Sequence, residues 1–138
     1  IMDLYDNSII EYDLSFKNNN RLVFKMFDKA TGKHPDAKPI FHSDRGFQYT
    51  GNVFKDKIEE AEMTQSMSRV GKCIDNGPME GFFGILKSEM FYDKKFKTLE
   101  ELKEKIIKYI KYYNEKRFQK KLGCKAPLEY RNQASVYA

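Results

Sequence analysis

The sequence predicts an α/β protein with a mixed sheet flanked by helices, and three features of the chain lead to that prediction. Polar and apolar residues alternate along residues 9–16, which is the periodicity of a strand. A short apolar stretch within residues 38–44 is bounded by turn-forming residues and indicates another strand. Apolar residues after position 98 recur instead at the spacing of a helix. The predicted order of elements is strand, strand, helix, strand, helix, strand, helix, helix.

The chain is predicted to start with a hairpin that leads into a helix. Residues 2–5 and 9–16 are its two strands, and the turn-forming run Asp6-Asn7-Ser8 joins them. The run Asn18-Asn19-Asn20 can cap a helix, because an asparagine side chain accepts from the free N–H groups of the first turn. The apolar positions of that helix are Leu22, Val23, Met26, Phe27 and Ala30.

Alternating strands and helices follow in the middle of the chain. Gly32 and Pro35 end the first helix, and residues 38–44 then predict a short buried strand that carries His42, Ser43 and Asp44 at its carboxyl end. Thr50 can cap the next helix, whose apolar face is formed by Phe54, Ile58 and Ala61. Residues 64–68 predict a further strand.

Two helices complete the chain. The run Asn76-Gly77-Pro78 starts the first of them, and its apolar side is formed by Met79, Phe82, Phe83, Leu86 and Met90. Thr98 and Glu101 form a capping box for the second, whose apolar stripe contains Leu102, Ile106, Tyr109, Ile110 and Tyr113. Gly123 and Pro127 mark its end, before a short turn at residues 128–131. We expect one domain, with the sheet and its helices in residues 1–97 and a basic helix and tail in residues 98–138.

Composition excludes several classes of protein. The chain has 138 residues, of which 41% are hydrophobic, so it can bury a core and is not a disordered segment. No apolar run is long enough to span a membrane, and the first residues lack the pattern of a signal peptide. Cys73 and Cys124 lie 51 positions apart without a CxxC motif, which favours a reducing, cytoplasmic setting over a disulfide or a zinc site.

Positive charge is concentrated in the last third. The net charge is 25 − 20 = +5, with 12 Lys/Arg and 14 Asp/Glu in residues 1–90 against 13 and 6 in residues 91–138. The basic part includes Lys103, Lys105, Lys108 and Lys111, mostly off the apolar stripe, and then Arg117, Lys120, Lys121 and Lys125. Such a region is either a surface that contacts a polyanion or a solvated lysine-rich surface, and charge alone leaves both possibilities open.

Three acids stand where a divalent metal site could form, since such metals prefer oxygen ligands from several elements. Asp44 follows a predicted strand, at the sheet edge where α/β proteins bind ligands, while Asp75 and Glu80 flank a helix start. The alternative is that Asp75 only caps the helix and Glu80 is an ordinary first-turn acid. Glu80, Gly84 and Lys87 share a helix face, so Lys87 could meet a phosphate near that acid.

These residues form motifs of a known family. The stretch His42-Ser43-Asp44-Arg45-Gly46, with Gln48-Tyr49 after it, resembles the second-aspartate motif of bacterial insertion-sequence transposases with a retroviral-integrase-like core. Thirty-five residues lie between Asp44 and Glu80, the D,D,35,E spacing, and residues 68–83 (SRVGKCIDNGPMEGFF) resemble the glutamate motif. Residues 112–117 (YYNEKR) are similar to the family's C-terminal signature.

The resemblance implies a ribonuclease H-like fold and a DNA transposase activity. Asp44 and Glu80 would then be the catalytic acids that hold two Mg²⁺ or Mn²⁺ ions, with their carboxylates on the order of 4–8 Å apart. It also implies DNA contacts by Lys87, Arg45, Asn76 and Arg117. The partners would be double-stranded DNA and further copies of the chain, at the nucleoid in the bacterial cytoplasm and without a membrane.

One feature of the motif regions departs from the family pattern. Asp3 does not match the family's first catalytic aspartate, so we expect that acid and the first strand to lie outside this sequence. A remnant that only binds DNA or associates with itself is therefore one alternative function, and a ribonuclease H-type nuclease on the same fold is another. The 35-residue spacing favours the transposase. We favour a structural role for His42 over a chemical one.

Overall fold

The computed structural model describes residues 1–71, 73–92 and 95–137, without the side chains of residues 73, 74 and 135–137. These residues form two compact units. The first unit contains Ile1 and Glu11–Gly77, and the second contains Met2–Ile10 and Pro78–Ala138. The side chain of Cys73 lies outside the described residues, and Cys124 is an exposed free cysteine.

The first unit combines helices with a small parallel sheet. Its elements are α1 (Asn20–Lys33), β1 (Ile40–Ser43), the short α2 (Phe47–Thr50), α3 (Asn52–Glu60) and β2 (Thr64–Met67), followed by a 3₁₀ turn at Cys73–Asn76. β1 and β2 pair in parallel from Ile40 opposite Thr64 to Ser43 opposite Met67. Parallel neighbours need a crossover connection, which α2 and α3 provide here. The α/β class is therefore confirmed, with a sheet of two strands in the described part of the chain.

An aromatic cluster forms the core of the first unit. Phe27, Phe54 and Ile58 are at most 2% exposed, and Val23 is 6% exposed. The Phe54 ring packs at steep angles against those of Phe27, Phe41 and Tyr49, with centroids 5.3–5.5 Å apart. Edge-to-face packing of this kind adds to the free energy gained by burial of the rings.

Local rules predicted the helices of this unit well. Asn19 caps α1 by accepting the Leu22 N–H at 3.1 Å, as the asparagine run indicated. α1 continues through Gly32 to Lys33 and ends just before Pro35. The prediction that Thr50 caps α3 is wrong, because Gly51 is the capping residue and Thr50 closes α2.

The strand predictions were less accurate. Residues 64–67 do form a strand, and so do residues 40–43, but the latter strand is only partly buried, since Ile40 is 70% exposed and Ser43 is 6% exposed. Residues 9–16 form no strand beyond a single antiparallel bridge between Ile9 and Met2. The N–H groups of Tyr12 and Leu14 donate instead to side chains, namely those of Glu11 and Asp13. Acidic side chains that bind neighbouring N–H groups compete with strand pairing. The alternation of polar and apolar residues gives no information about this competition.

The second unit is helical and contains the N-terminal turn. Its elements are α4 (Gly77–Leu86), one π-helical turn (Lys87–Phe91), α5 (Leu99–Glu115), a 3₁₀ turn (Lys120–Leu122) and α6 (Pro127–Tyr137). Thr98 caps α5 by accepting the Glu101 N–H at 3.1 Å, which confirms half of the predicted box, while Glu101 accepts from the Lys97 N–H. α5 ends at Glu115, well before Gly123, and α6 is longer than the turn predicted at residues 128–131.

Side chains of α5 and α6 hold the N-terminal turn of this unit. Asn114 accepts the Ile9 N–H at 2.8 Å and donates to the Ile9 carbonyl at 2.9 Å, so its amide takes the place of a neighbouring strand. The Arg131 guanidinium donates to Asp3 and to the fully buried Asp6. A buried carboxylate needs such a partner, since an unpaired charge in the interior is strongly destabilising.

Both units are built from short or amphipathic elements. Among the residues that the structure describes, no helix has the length and apolar character needed to cross a membrane. A groove of about 810 Å³ in the first unit runs along α1 and is lined by Arg21, Phe24, Lys25, Asp28, Lys29 and Lys57 among others. Lys57 is paired with Asp28 there, and Lys25 with Asp13.

We expect Phe54→Ala to destabilise the protein by about 3–5 kcal/mol, because the substitution removes a fully buried ring and leaves a cavity that its aromatic neighbours cannot fill. Urea unfolding followed by circular dichroism measures the change. Val53→Ala is the matched control, since Val53 is adjacent in α3 but 58% exposed, and it should change stability little. Similar losses in the two variants would contradict the central role of Phe54.

Candidate active site

Asp44 stands immediately after β1 with an exposed side chain. Its Oδ1 accepts the Gly46 N–H at 2.8 Å, which fixes the orientation of the carboxylate. A Cβ at position 46 would lie 3.0 Å from this oxygen and 3.1 Å from the Gln48 Oε1. A side chain at this position would crowd both oxygens, so the glycine of the motif allows the close approach, and its φ of −56° is ordinary.

Hydrogen bonds hold the loop that follows Asp44. The Arg45 Nε donates to the Ser68 carbonyl at 3.0 Å, which ties the loop to the end of β2. Gln48 is buried and donates to Asn18. Burial raises the pKa of the Tyr49 hydroxyl, and the negative charge of Asp44 raises it further. The motif residues around Asp44 thus determine the shape of the loop, while the Asp44 carboxylate stays accessible.

His42 has a structural position in the sheet. Its Nδ1 lies 3.0 Å from the Ser66 hydroxyl and its Nε2 lies 3.2 Å from the Ser68 hydroxyl, so both ring nitrogens are engaged with residues on and just after β2. This agrees with the structural role predicted for His42. A proton-transfer role would need a ring nitrogen directed at a reacting group.

Asp75 does not cap α4, so that part of the prediction is wrong. Its carboxylate accepts from the Arg69 N–H, Nε and Nη2 at 2.8–3.0 Å, within the first unit. The bidentate guanidinium satisfies both carboxylate oxygens, which explains why the helix end does not recruit them. These hydrogen bonds from Arg69, the side chain first, hold the pKa of the Asp75 carboxyl well below its usual range.

Glu80 lies in the first turn of α4, in the second unit, and its side chain is exposed. Added Cβ atoms at Gly81 and Gly84 would meet no atom within 4 Å, so the helix surface beside Glu80 is open at these two positions. Asp44 belongs to the first unit and Glu80 to the second. Their expected approach to 4–8 Å therefore stays a prediction. Among the described residues, no three Asp, Glu, His or Cys side chains gather into a metal-binding group.

The residues predicted to contact DNA differ in their exposure and in the hydrogen bonds they already make. The side chains of Lys87 and Arg45 are exposed, and Asn76 is half-buried at the end of the 3₁₀ turn. The regular part of α4 ends at Leu86, so Lys87 is the first residue of the π-turn. Arg117 is already bound to a carboxylate, since its Nε and Nη2 donate to Glu89 at 2.6–3.0 Å.

Sequence reasoning missed Glu89 as the centre of a side-chain cluster. Besides Arg117, the Tyr109 hydroxyl donates to Glu89 at 2.8 Å. The hydrogen bonds from Arg117, and then from Tyr109, lower the pKa of the Glu89 carboxyl. Burial, together with Glu89, raises the pKa of the Tyr109 hydroxyl. Glu89 and Arg117 lie 28 positions apart, so local spacing could not predict the pair.

Comparisons with known proteins agree with the motifs. A family model described as an integrase core domain matches residues 1–73, and a second model with the same description matches residues 80–134. The chain is 44% identical, over 97% of its length, to an uncharacterized transposase-like protein of Haemophilus influenzae, of which it covers 62%.

Two further relatives carry transposase names. The chain is 43% identical over 96% of its length to the putative transposase InsK for insertion sequence element IS150 of Escherichia coli, and covers 47% of it. It is 36% identical over 94% of its length to the transposase for insertion sequence element IS904 of Lactococcus lactis, and covers 52% of it. The chain thus spans about half to three-fifths of these relatives. No solved structure matches.

We expect the Arg69 amide to report the protonation of Asp75, because it donates directly to the Asp75 carboxylate. The lowered pKa means that this ion pair stabilises the fold fully above the ordinary aspartate pKa of about 4, and that the contribution is lost as the pH falls through the lowered value. An NMR titration should therefore show the Arg69 amide shift changing only at strongly acid pH. Asp75→Asn should remove that change, whereas a midpoint at or above 4 would contradict the pairing.

Proposed function

Because the chain belongs to the integrase core family of insertion-sequence transposases, we propose that it forms the catalytic core of an enzyme that cleaves and joins DNA strands. One observation carries this proposal. The integrase core matches cover residues 1–73 and 80–134, and each includes one of the two candidate acids, Asp44 in the first and Glu80 in the second. The family also implies a ribonuclease H-like fold, which the parallel β1–β2 pair between helices supports.

The reaction we propose has two phosphoryl-transfer steps. In the first, water attacks a phosphodiester at the element end and releases a 3′-hydroxyl. In the second, that hydroxyl attacks a phosphodiester of the target, so that a new bond forms and a target 3′-hydroxyl leaves. Both steps displace an oxygen from phosphorus, and neither needs a covalent bond to the protein. The chain's own residues must therefore bind the metal ions and the DNA backbone.

The carboxylates of Asp44 and Glu80 fit a divalent metal chemically, because Mg²⁺ and Mn²⁺ prefer hard oxygen ligands. Asp44 is exposed and is oriented by the Gly46 N–H, in the way that hydrogen bonds from neighbouring groups commonly orient metal ligands. Glu80 is exposed in the first turn of a helix, where the helix dipole favours a negative charge. When bound, two such ions would activate the attacking oxygen and stabilise the leaving one.

DNA is the partner that the basic surfaces favour. We propose that Lys87, Arg45 and Asn76 contact the backbone near the reacting phosphate. Exposed lysines of α5, at positions 105, 108 and 111, would add contacts that carry no sequence information. Two DNA ends must be brought together, so we also propose a homo-oligomer, which acts at the nucleoid of a bacterial cell.

Asp44→Asn or Glu80→Gln in the full-length protein should reduce strand cleavage by at least about 10³-fold, because each removes a charged metal ligand. Binding of DNA should stay within about twofold, since Lys and Arg supply most of the affinity. Cleavage of duplexes with element ends, with gel shifts in parallel, measures both effects. Asp56→Asn, an exposed acid on α3, is the control and should cleave normally. Retained cleavage in Asp44→Asn or Glu80→Gln would remove that residue from the proposed site.

Lys87→Ala should weaken binding of a duplex by the chain about threefold to tenfold at low salt, the effect of roughly one phosphate contact. The slope of log affinity against log salt should become shallower by about one. Fluorescence anisotropy at several salt concentrations measures both quantities. Lys55→Ala removes the same charge from the exposed surface of α3 and should leave the slope nearly unchanged. Unchanged affinity and slope for Lys87→Ala would show that Lys87 is only a solvated lysine.

A further inference from the structure

The π-helical turn that starts at Lys87 is an unusual feature of the second unit. Its defining bond runs from the Tyr92 N–H to the Lys87 carbonyl, at 3.0 Å, across five residues. A π-turn adds a residue to the ordinary helical repeat, so it changes the direction of the side chains on it, and such turns are rare and frequently lie at functional sites. The direction of the Lys87 side chain therefore depends on the contacts that hold this turn.

Glu89 provides that constraint in the middle of the turn. Its carboxylate receives the Arg117 guanidinium through Nε and Nη2 and the Tyr109 hydroxyl, all within 3.0 Å. Tyr109 is 8% exposed on α5, and Arg117 follows that helix, so the turn is attached to α5 by three charge-assisted hydrogen bonds or more. Met90, the next residue, is buried.

We propose that Glu89, Arg117 and Tyr109 form a positioning cluster that holds the π-turn and thereby presents Lys87 to DNA. This inference rests on the proposed function, since it concerns the Lys87 contact. It also assigns Arg117 a different role from the direct DNA contact that its charge suggested. The Nε and Nη2 of Arg117 are bound to Glu89, so Arg117 acts on the turn through this carboxylate.

The negative charge of Glu89 makes the inference testable, because it predicts whether Glu89→Gln raises or lowers the affinity for duplex DNA. Glu89→Gln removes a negative charge, and electrostatics alone would then strengthen binding to a polyanion. A positioning role predicts the opposite result, because the neutral amide cannot hold the guanidinium in the same way and the turn loses its attachment. We expect Glu89→Gln to weaken duplex binding about threefold or more and to make the salt slope shallower by about one, as Lys87→Ala does.

A double-mutant cycle that combines Glu89→Gln with Lys87→Ala shows whether Glu89 acts by positioning Lys87 or affects DNA binding independently of it. If Glu89 acts through Lys87, the double variant binds no more weakly than Lys87→Ala alone. Arg117→Lys is the second probe, since it keeps the positive charge but loses the bidentate geometry. It should weaken binding when Lys87 is present and have no further effect when Lys87 is replaced. A direct phosphate contact by Arg117 would give additional loss in both backgrounds for Arg117→Ala.

The matched control is Glu104→Gln, which removes the same charge from an exposed position on α5. It should strengthen duplex binding slightly or leave it unchanged. The chain itself is titrated with a duplex of unrelated sequence, and thermal unfolding confirms that each variant is folded. If Glu89→Gln does not fold, Tyr109→Phe, which removes only one hydroxyl, and Arg117→Lys give the same test.

The outcomes distinguish failure of this inference from failure of the proposed function. If Lys87→Ala weakens binding but Glu89→Gln strengthens it as Glu104→Gln does, the positioning cluster is overturned and the Lys87 contact stands. Additive losses in the double variant would overturn it as well. If Lys87→Ala binds DNA as the parent does, the Lys87 contact is wrong, and the inference fails with it.

Discussion

The position of Asp44 depends on one buried ring in the first unit. Phe54 of α3 is fully buried, and four other rings have centroids 5.3–6.0 Å from its own, namely those of Phe24, Phe27, Phe41 and Tyr49. Phe41 lies on β1 just before Asp44, and Tyr49 lies on α2 just after it. The backbone on both sides of the carboxylate is therefore packed against the same ring. A ligand held between rigid elements keeps its geometry better than one on a free loop.

Internal pairing of charges explains much of what lies around the candidate site. Arg69 binds Asp75 in the first unit, and Arg117 binds Glu89 in the second, and in both pairs the guanidinium donates through Nε and Nη2. From the sequence, an arginine in a basic region is interpreted as a DNA contact or as a solvated charge. Pairing within the chain is a third role, and it orders a segment that would otherwise have to be held by weaker contacts.

The helices and the candidate acids could be predicted because their signals are local. Asn19 and Thr98 cap helices through hydrogen bonds to N–H groups three residues away, and the 35-residue spacing of Asp44 and Glu80 is read directly from the chain. The strand predicted at residues 9–16 was wrong for the opposite reason. A strand exists only where a partner accepts its hydrogen bonds, and alternation within one segment says nothing about that partner.

The sequence alone determined the α/β class, the family motifs and the helix caps at Asn19 and Thr98. Tertiary structure decided which polar side chains meet. Asn114 replaces a strand at Ile9, 105 positions away, and Glu89 joins Tyr109 and Arg117. Such contacts depend on how whole helices pack against each other. This packing results from many weak interactions between residues far apart in the chain, so no short sequence spacing predicts the contacts.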